Sequence, residues 1–199
     1  MSNPSIEGFE AAKHLLMYLG KTRHLKLRYS RAVQTPMGLE AHRKEIESNY
    51  GFVAYSDASW GVENPFYGYT LFMSNGPISF ASKTLKSAES TAEAEYAAAY
   101  QATRDVIFVR QLCDELGCTL HGELILAVDN KAAIDIANNA GVTARNKHFK
   151  RVFHLVREEV QHLRLRLVHV STNAQRADMH TKSLGDGVFV DRCRQYHLS

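Results

Sequence analysis

The spacing of apolar residues changes near residue 90, and that change limits the folds open to this chain. Before it, three short runs read as strands, over about 51 to 57, about 66 to 73 and about 78 to 83. Asn75-Gly76 supplies a two-residue hairpin turn between the second and third. After it, Ala98, Ala99, Ala102, Val106 and Val109 recur on one face of a single helix over about 91 to 116. Ser90 followed by Glu93 fits a capping box at its start, and Gly117 fits its stop. The strand 124–129 is apolar throughout, as a central strand covered on both faces should be. A short helix over 130–138, an amphipathic helix over about 146 to 163 and a strand over 165–170 follow. A terminal helical stretch begins near Ala177. A meander followed by strand–helix–strand alternation predicts an α/β domain. Its sheet is mixed and five-stranded, with right-handed crossovers in the parallel part and helices flanking it.

Ahead of this domain, Phe9, Ala12, Leu15, Leu16 and Leu19 recur at helical spacing, with Gly20 as a stop. Leu25, Leu27 and Tyr29 alternate with Lys26 and Arg28, the pattern of a strand with one wet face. Residues 31–49 are polar, contain Pro36 and Gly38, and read as a linker. The expected organisation is an appendage over 1–49 and the main domain over 50–199, in keeping with a length of 199 residues.

Composition closes off several classes. No apolar run approaches the roughly 20 residues of a membrane span, so no membrane partner is expected. The N-terminus lacks the charged-then-apolar pattern of a secretory signal. Cys113, Cys118 and Cys193 have no metal-type spacing, and reduced thiols in an intracellular protein are the simple reading. The ten histidines form no Cys/His cluster, which argues against structural zinc. A net charge of +3 permits a polyanionic partner without demanding one.

Four acids stand where strands end or helices begin: Asp57, Glu95, Asp129 and Asp178. Asp57 closes the run from Phe52 to Ser56, and Asp129 closes the run from Leu124 to Val128. Ligands of open α/β sheets bind beyond the carboxyl ends of the strands, so neighbouring strands would bring these two carboxylates together. Glu93 belongs to the helix cap, whereas Glu95 shares the face that meets the sheet. Carboxylates gathered from distant segments repel one another, and a hard divalent cation offsets that cost. Four carboxylates with water suit two Mg2+ ions roughly 4 Å apart, with Mn2+ as a substitute.

These acids lie in short motifs: Tyr55-Ser56-Asp57-Ala58-Ser59-Trp60, Ser90-Thr91-Ala92-Glu93-Ala94-Glu95-Tyr96, Val128-Asp129-Asn130-Lys131-Ala132-Ala133 and Ala177-Asp178-Met179-His180-Thr181-Lys182. Together with Ile78-Ser79-Phe80-Ala81-Ser82-Lys83 and Asn146-Lys147-His148-Phe149, they resemble the ribonuclease H domain of copia-type retrotransposon polyproteins. The resemblance covers nearly the whole chain, and residues 1–30 resemble the end of the reverse transcriptase's connecting region. It implies a ribonuclease H-like fold and Mg2+-dependent endonucleolytic cleavage of RNA in RNA–DNA hybrids during reverse transcription. Met1 would then be an internal residue of a longer polyprotein. The implied partners are an RNA–DNA hybrid and the reverse transcriptase domain of the same polyprotein. The implied compartment is a cytoplasmic virus-like particle, or the nucleus. Carried over, Asp57 bridges both metals, Asp178 completes the site that activates water, and Glu95 and Asp129 hold the ion near the leaving 3′ oxygen. The chain departs from the family pattern at Ser59, where a second acid is usual, at Ser183, where Pro is usual, and at His180, where a larger apolar residue is usual. The loop 171–177 also lacks the histidine that many cellular ribonucleases H carry there.

Other residues have two readings each. Arg145, Lys147, His148, Lys150 and Arg151 form a basic patch that either contacts phosphates or starts a solvated helix. Ser90 and Thr91 either hold a phosphate at a helix start or cap it. Asn130 either bonds a ribose hydroxyl, which would tell RNA from DNA, or caps the next helix. Trp60 and Tyr67 either stack on the substrate or belong to the core. Two functional alternatives to the nuclease remain. An integrase or transposase core places its glutamate third, after the second aspartate, whereas here it is second. A module that only grips hybrid or tethers a polymerase would not need all four acids.

Overall fold

The computed structural model describes residues 5–61, 63–86, 88–138 and 150–198. Three antiparallel strands come first: β1 (Val53–Ala58), β2 (Phe66–Met73) and β3 (Gly76–Thr84). The helix α3 (Thr91–Glu115) crosses to β4 (Leu124–Val128). Two helices, α4 (Lys131–Asn138) and α5 (Lys150–Gln161), lead to β5 (Leu165–His169). The sheet order is β3-β2-β1-β4-β5, with β1, β4 and β5 mutually parallel. This is the mixed five-stranded α/β architecture expected from the sequence.

Strand alternation divides the core in two. Phe52, Ala54, Leu71, Leu124 and Leu126 meet the Ala99, Ala102, Val106 and Val109 stripe of α3. The small alanines let the helix lie close against β1. Val53, Tyr55, Phe72, Ile125 and Ala127 point into the second cluster, which Leu39, Ile46, Ala177 and Tyr196 complete.

Leu39 and Ile46 fall inside the stretch read as a linker. Its second half is built into the core, through a 3₁₀ turn (Glu40–His42) and the short helix α2 (Arg43–Ser48). The Asn49 side chain clasps the backbone of His121, donating to its carbonyl at 2.9 Å and accepting from its N–H at 2.7 Å. Polar composition hid two widely spaced apolar anchors.

The structure differs from the sequence expectation at three further places. The hairpin turn is Ser74-Asn75, with φ of 52° and 67°, and Gly76 already pairs with Met73. Asn75 is held there by its side chain, which accepts from Gln34 N–H at 2.8 Å and donates to the Ala32 carbonyl at 2.7 Å. Gly76 is needed for close approach instead, because a Cβ there would lie 2.5 Å from the Tyr29 ring. The N-terminal helix α1 (Ile6–Thr22) runs through Gly20, and the strand after it reduces to one bridge, Leu27 with Leu198. After β5 the chain makes two 3₁₀ turns, Thr172–Ala174 and Arg176–His180, before the terminal helix α6 (Asp186–Gln195).

Gly68 of β2 lets the second 3₁₀ turn lie on the sheet, since a Cβ would come 2.4 Å from His180 Cβ. His180 stacks on Phe80 at 5.7 Å and meets the hydroxyls of Thr70 at 2.6 Å and Tyr196 at 3.1 Å. Burial lowers its pKa to about 4. The unfolded chain therefore binds this proton at higher pH than the folded one. Stability from this group is present above about pH 6.5 and is lost as pH falls toward 4, by up to about 3 kcal/mol. His180→Leu should flatten that limb relative to the parent in urea unfolding across pH 4 to 7. An identical pH dependence in both proteins would refute the assignment.

Candidate active site

Pairing of β1 with β4 places the carboxyl ends of two parallel strands side by side, with Asp57 in one and Asp129 just past the other. Ser90 caps α3, its hydroxyl accepting from Glu93 N–H at 3.3 Å. The Glu93 carboxylate turns back to Glu89 N–H at 2.8 Å, so this acid belongs to the helix start. One half-turn on, Glu95 faces the strands. Carboxylate oxygens of Asp57, Glu95 and Asp129 all lie within 4.8 Å of one another.

The electrostatics of Asp57 and Glu95 follow from burial. Asp57 is 0% exposed and Glu95 4%. Burial, then the charges of Asp57 and Asp129, push the Glu95 carboxyl up to about 9, against the opposing Ala58 backbone hydrogen bond. One Glu95 oxygen is buried with no hydrogen-bond partner among the described residues. Burial also pushes Asp57 up to about 6, although the Thr181 hydroxyl and Lys182 oppose it. Oxygen donors alone, crowded and unsatisfied on one side, fit a hard divalent cation and not a soft one.

Asp178 is not among these three and meets Asp57 through a shared lysine. Lys182 Nζ bridges the two, at 3.1 Å from Asp57 and 2.6 Å from Asp178. Asp178 also faces Arg192 at 3.5 Å, and Arg192 is anchored on the carbonyls of Asn173 at 2.8 Å and Thr172 at 3.0 Å. Thr181 donates its hydroxyl to Asp57. Gln175, fully buried, donates to the Ser56 carbonyl at 2.9 Å and fixes the segment against β1. In the sequence, Thr181 and Lys182 stand within a motif that assigns neither a contact, and nothing marks Gln175 or Arg192. The one available signal was the spacing of Asp178 and Lys182, four residues apart.

The remaining candidates divide. Asn130 caps α4, its side chain accepting from Ala133 N–H at 3.1 Å. Thr91 is exposed at the start of α3. Trp60 is 44% exposed and donates its indole N–H to the Ala88 carbonyl at 3.2 Å, while Tyr67 packs beside Ala58 and Leu85. Arg145, Lys147 and His148 lie outside the described residues, and Lys150 and Arg151 are described only as the first turn of α5. Among the described residues, no helix is long and apolar enough to cross a membrane.

No family model matches the chain. It is 35% identical over 147 residues, 71% of its length, to a retrovirus-related Pol polyprotein from transposon RE2 of Arabidopsis thaliana. It is 31% identical over 194 residues, 95% of its length, to that from transposon RE1 of the same plant. It is 34% identical over 188 residues, 92% of its length, to that from transposon TNT 1-94 of Nicotiana tabacum. The chain spans 10%, 12% and 13% of the lengths of these relatives. Among solved structures, LC11-RNase H1 in complex with an RNA/DNA hybrid superposes with a TM-score of 0.49 at 17% identity, over 65% of this chain and 93% of that one. RNase H1 from Halobacterium salinarum superposes with a TM-score of 0.48 at 19% identity, over 70% and 98%.

Proposed function

Because this chain belongs to the retrovirus-related Pol polyproteins of transposons, we propose that it is their ribonuclease H segment and hydrolyses the RNA strand of RNA–DNA hybrids. The observation that carries the reading is the carboxylate trio of Asp57, Glu95 and Asp129 at the ends of two parallel strands, with a Glu95 oxygen buried and unpartnered. A divalent cation is the partner such a group lacks, and Mg2+ suits an all-oxygen donor set.

Asp57 would be shared by two ions, because it gathers with Glu95 and Asp129 and is also linked through Lys182 to Asp178. Bound there, the pair would supply an activated water and charge for the leaving oxygen, leaving 5′-phosphate and 3′-hydroxyl ends. The chain's own work is positional. Thr181 and Gln175 fix the strand end and the segment that carries Asp178, and Arg192 anchors that segment from below. The hydroxyls of Ser90 and Thr91, at the start of the helix that carries Glu95, and Asn130, next to Asp129 in the chain, would meet a sugar–phosphate backbone. The patch of Arg145, Lys147, His148, Lys150 and Arg151 would carry the hybrid's phosphates further along.

The chain covers a small part of its relatives' length, and the rest of such a polyprotein would supply a reverse transcriptase partner. Phe9 and Leu16, exposed and two turns apart on one face of α1, are the residues we assign to it.

The deciding experiment is a time course on a hybrid with labelled RNA, run with Mg2+, with Mn2+ and with chelator. Internal cleavage of the RNA strand is expected with either ion and not with chelator, and double-stranded DNA should stay intact. Binding of hybrid with no cleavage under any ion would replace the nuclease by a gripping module.

A further inference from the structure

The two halves of the carboxylate cluster are neutralised differently. On the Glu95 and Asp129 side of Asp57, no protein cation is hydrogen-bonded to the acids among the described residues, and one Glu95 oxygen has no partner. On the Asp178 side, an ammonium group already stands between the carboxylates. Lys182 Nζ makes ion pairs with both Asp57 and Asp178, and its side chain is 40% exposed while theirs are 0% and 5%. Lys182 thus enters from the surface and places its charge between the two carboxylates, with the Thr181 hydroxyl also on Asp57 and Arg192 also facing Asp178.

We propose that Lys182 is a resident cation that competes with the second divalent ion. The inference rests on the metal-dependent reading above. A divalent ion held jointly by Asp57 and Asp178 needs the oxygens that Lys182 now occupies, and two cations cannot share them without repulsion. The ammonium must swing out, and its exposure and flexible stem permit that. The side facing Glu95 and Asp129 has no such competitor, so it fills first. The ion on the Asp178 side binds more weakly and exchanges more readily. When that ion leaves, Lys182 returns and keeps the two acids neutralised and in place. Competition of this kind is a negative coupling between two ligands, typically roughly 5- to 150-fold in affinity.

The test is calorimetric titration of the whole chain with Mn2+ and no nucleic acid. The parent should show one tighter and one weaker step. Lys182→Gln should tighten the weaker step by about tenfold and leave the tighter one unmoved. Lys182→Arg, which keeps the charge, should retain the weak step and so separates loss of charge from damage to the fold. A weak step unchanged or weakened in Lys182→Gln overturns the proposal, because Lys182 would then only be positioning the carboxylates. A parent that takes up no Mn2+ overturns the metal reading itself, and this inference with it.

Discussion

Asp57→Asn should lower Mg2+-dependent cleavage of a hybrid by roughly 100- to 1,000-fold or more, with the fold intact. Asp57 is the acid that touches both halves of the cluster. It lies within 4.8 Å of the Glu95 and Asp129 oxygens and pairs with Lys182, which also holds Asp178. Removing its charge therefore weakens both cation positions. The same change should raise metal-free stability at neutral pH. Burial holds the Asp57 carboxyl up at about 6, above its value in the unfolded chain. The folded state thus binds this proton more readily, so ionisation costs stability as pH rises from about 4 to 6, and the cost persists above. Asn at this position is free of that penalty. Thermal unfolding in chelator at pH 8 should place Asp57→Asn at or above the parent, and the gap should close near pH 4. A variant that cuts hybrid at near the parental rate would remove Asp57 from the site.

How far the sequence led depended on whether a feature was local. The strands, the α3 helix and its cap were readable because period and capping residues act within a few positions. Ser90, Glu93 and Glu95 sort themselves by helix phase alone, and the structure places Glu93 at the cap and Glu95 toward the sheet. The proximity of Asp57 and Asp129 was readable only on condition that their strands are neighbours, since two strands and a helix separate β1 from β4 in the chain, and the parallel pairing of β1 with β4 meets that condition. Three things were not. The turn shifted by one residue because Asn75 is held by Gln34 and Ala32, 41 and 43 positions away, which no hairpin rule can see. The stretch 31–49 looked like a linker because its core contribution is two side chains, Leu39 and Ile46, among polar neighbours. Lys182 reached the site because the segment after β5 folds as 3₁₀ turns, which set its side chain across Asp178 toward Asp57. A helical continuation from Ala177 would also set Lys182 one turn from Asp178; what it does not imply is the reach to Asp57.

Exchanging single acids at the start of α3 separates the site from the cap. Glu95→Gln should reduce hydrolysis by roughly 100-fold or more, because its carboxylate is one of the three gathered oxygens and Gln offers no charge to a cation. Glu93→Gln should leave the rate within about twofold, since Gln also accepts from a backbone N–H in this position. Stability moves the opposite way. Burial and the charges of Asp57 and Asp129 hold Glu95 up at about 9, so the folded chain keeps a proton that the unfolded chain releases near pH 4.5. Stability of the metal-free parent therefore falls as pH rises through that window, and Glu95→Gln abolishes this part of the slope. At pH 9 in chelator the variant should be the more stable by about 2–4 kcal/mol, and at pH 4.5 the two should coincide. Saturating Mg2+ should narrow the gap at high pH, because the parent then gains a partner for its ionised carboxylate and the variant does not. Urea unfolding at the two pH values, with and without Mg2+, reads all of these at once. Equal slopes for parent and Glu95→Gln, or loss of activity in Glu93→Gln alone, would mean that the acid aimed at the sheet is not the one that works there.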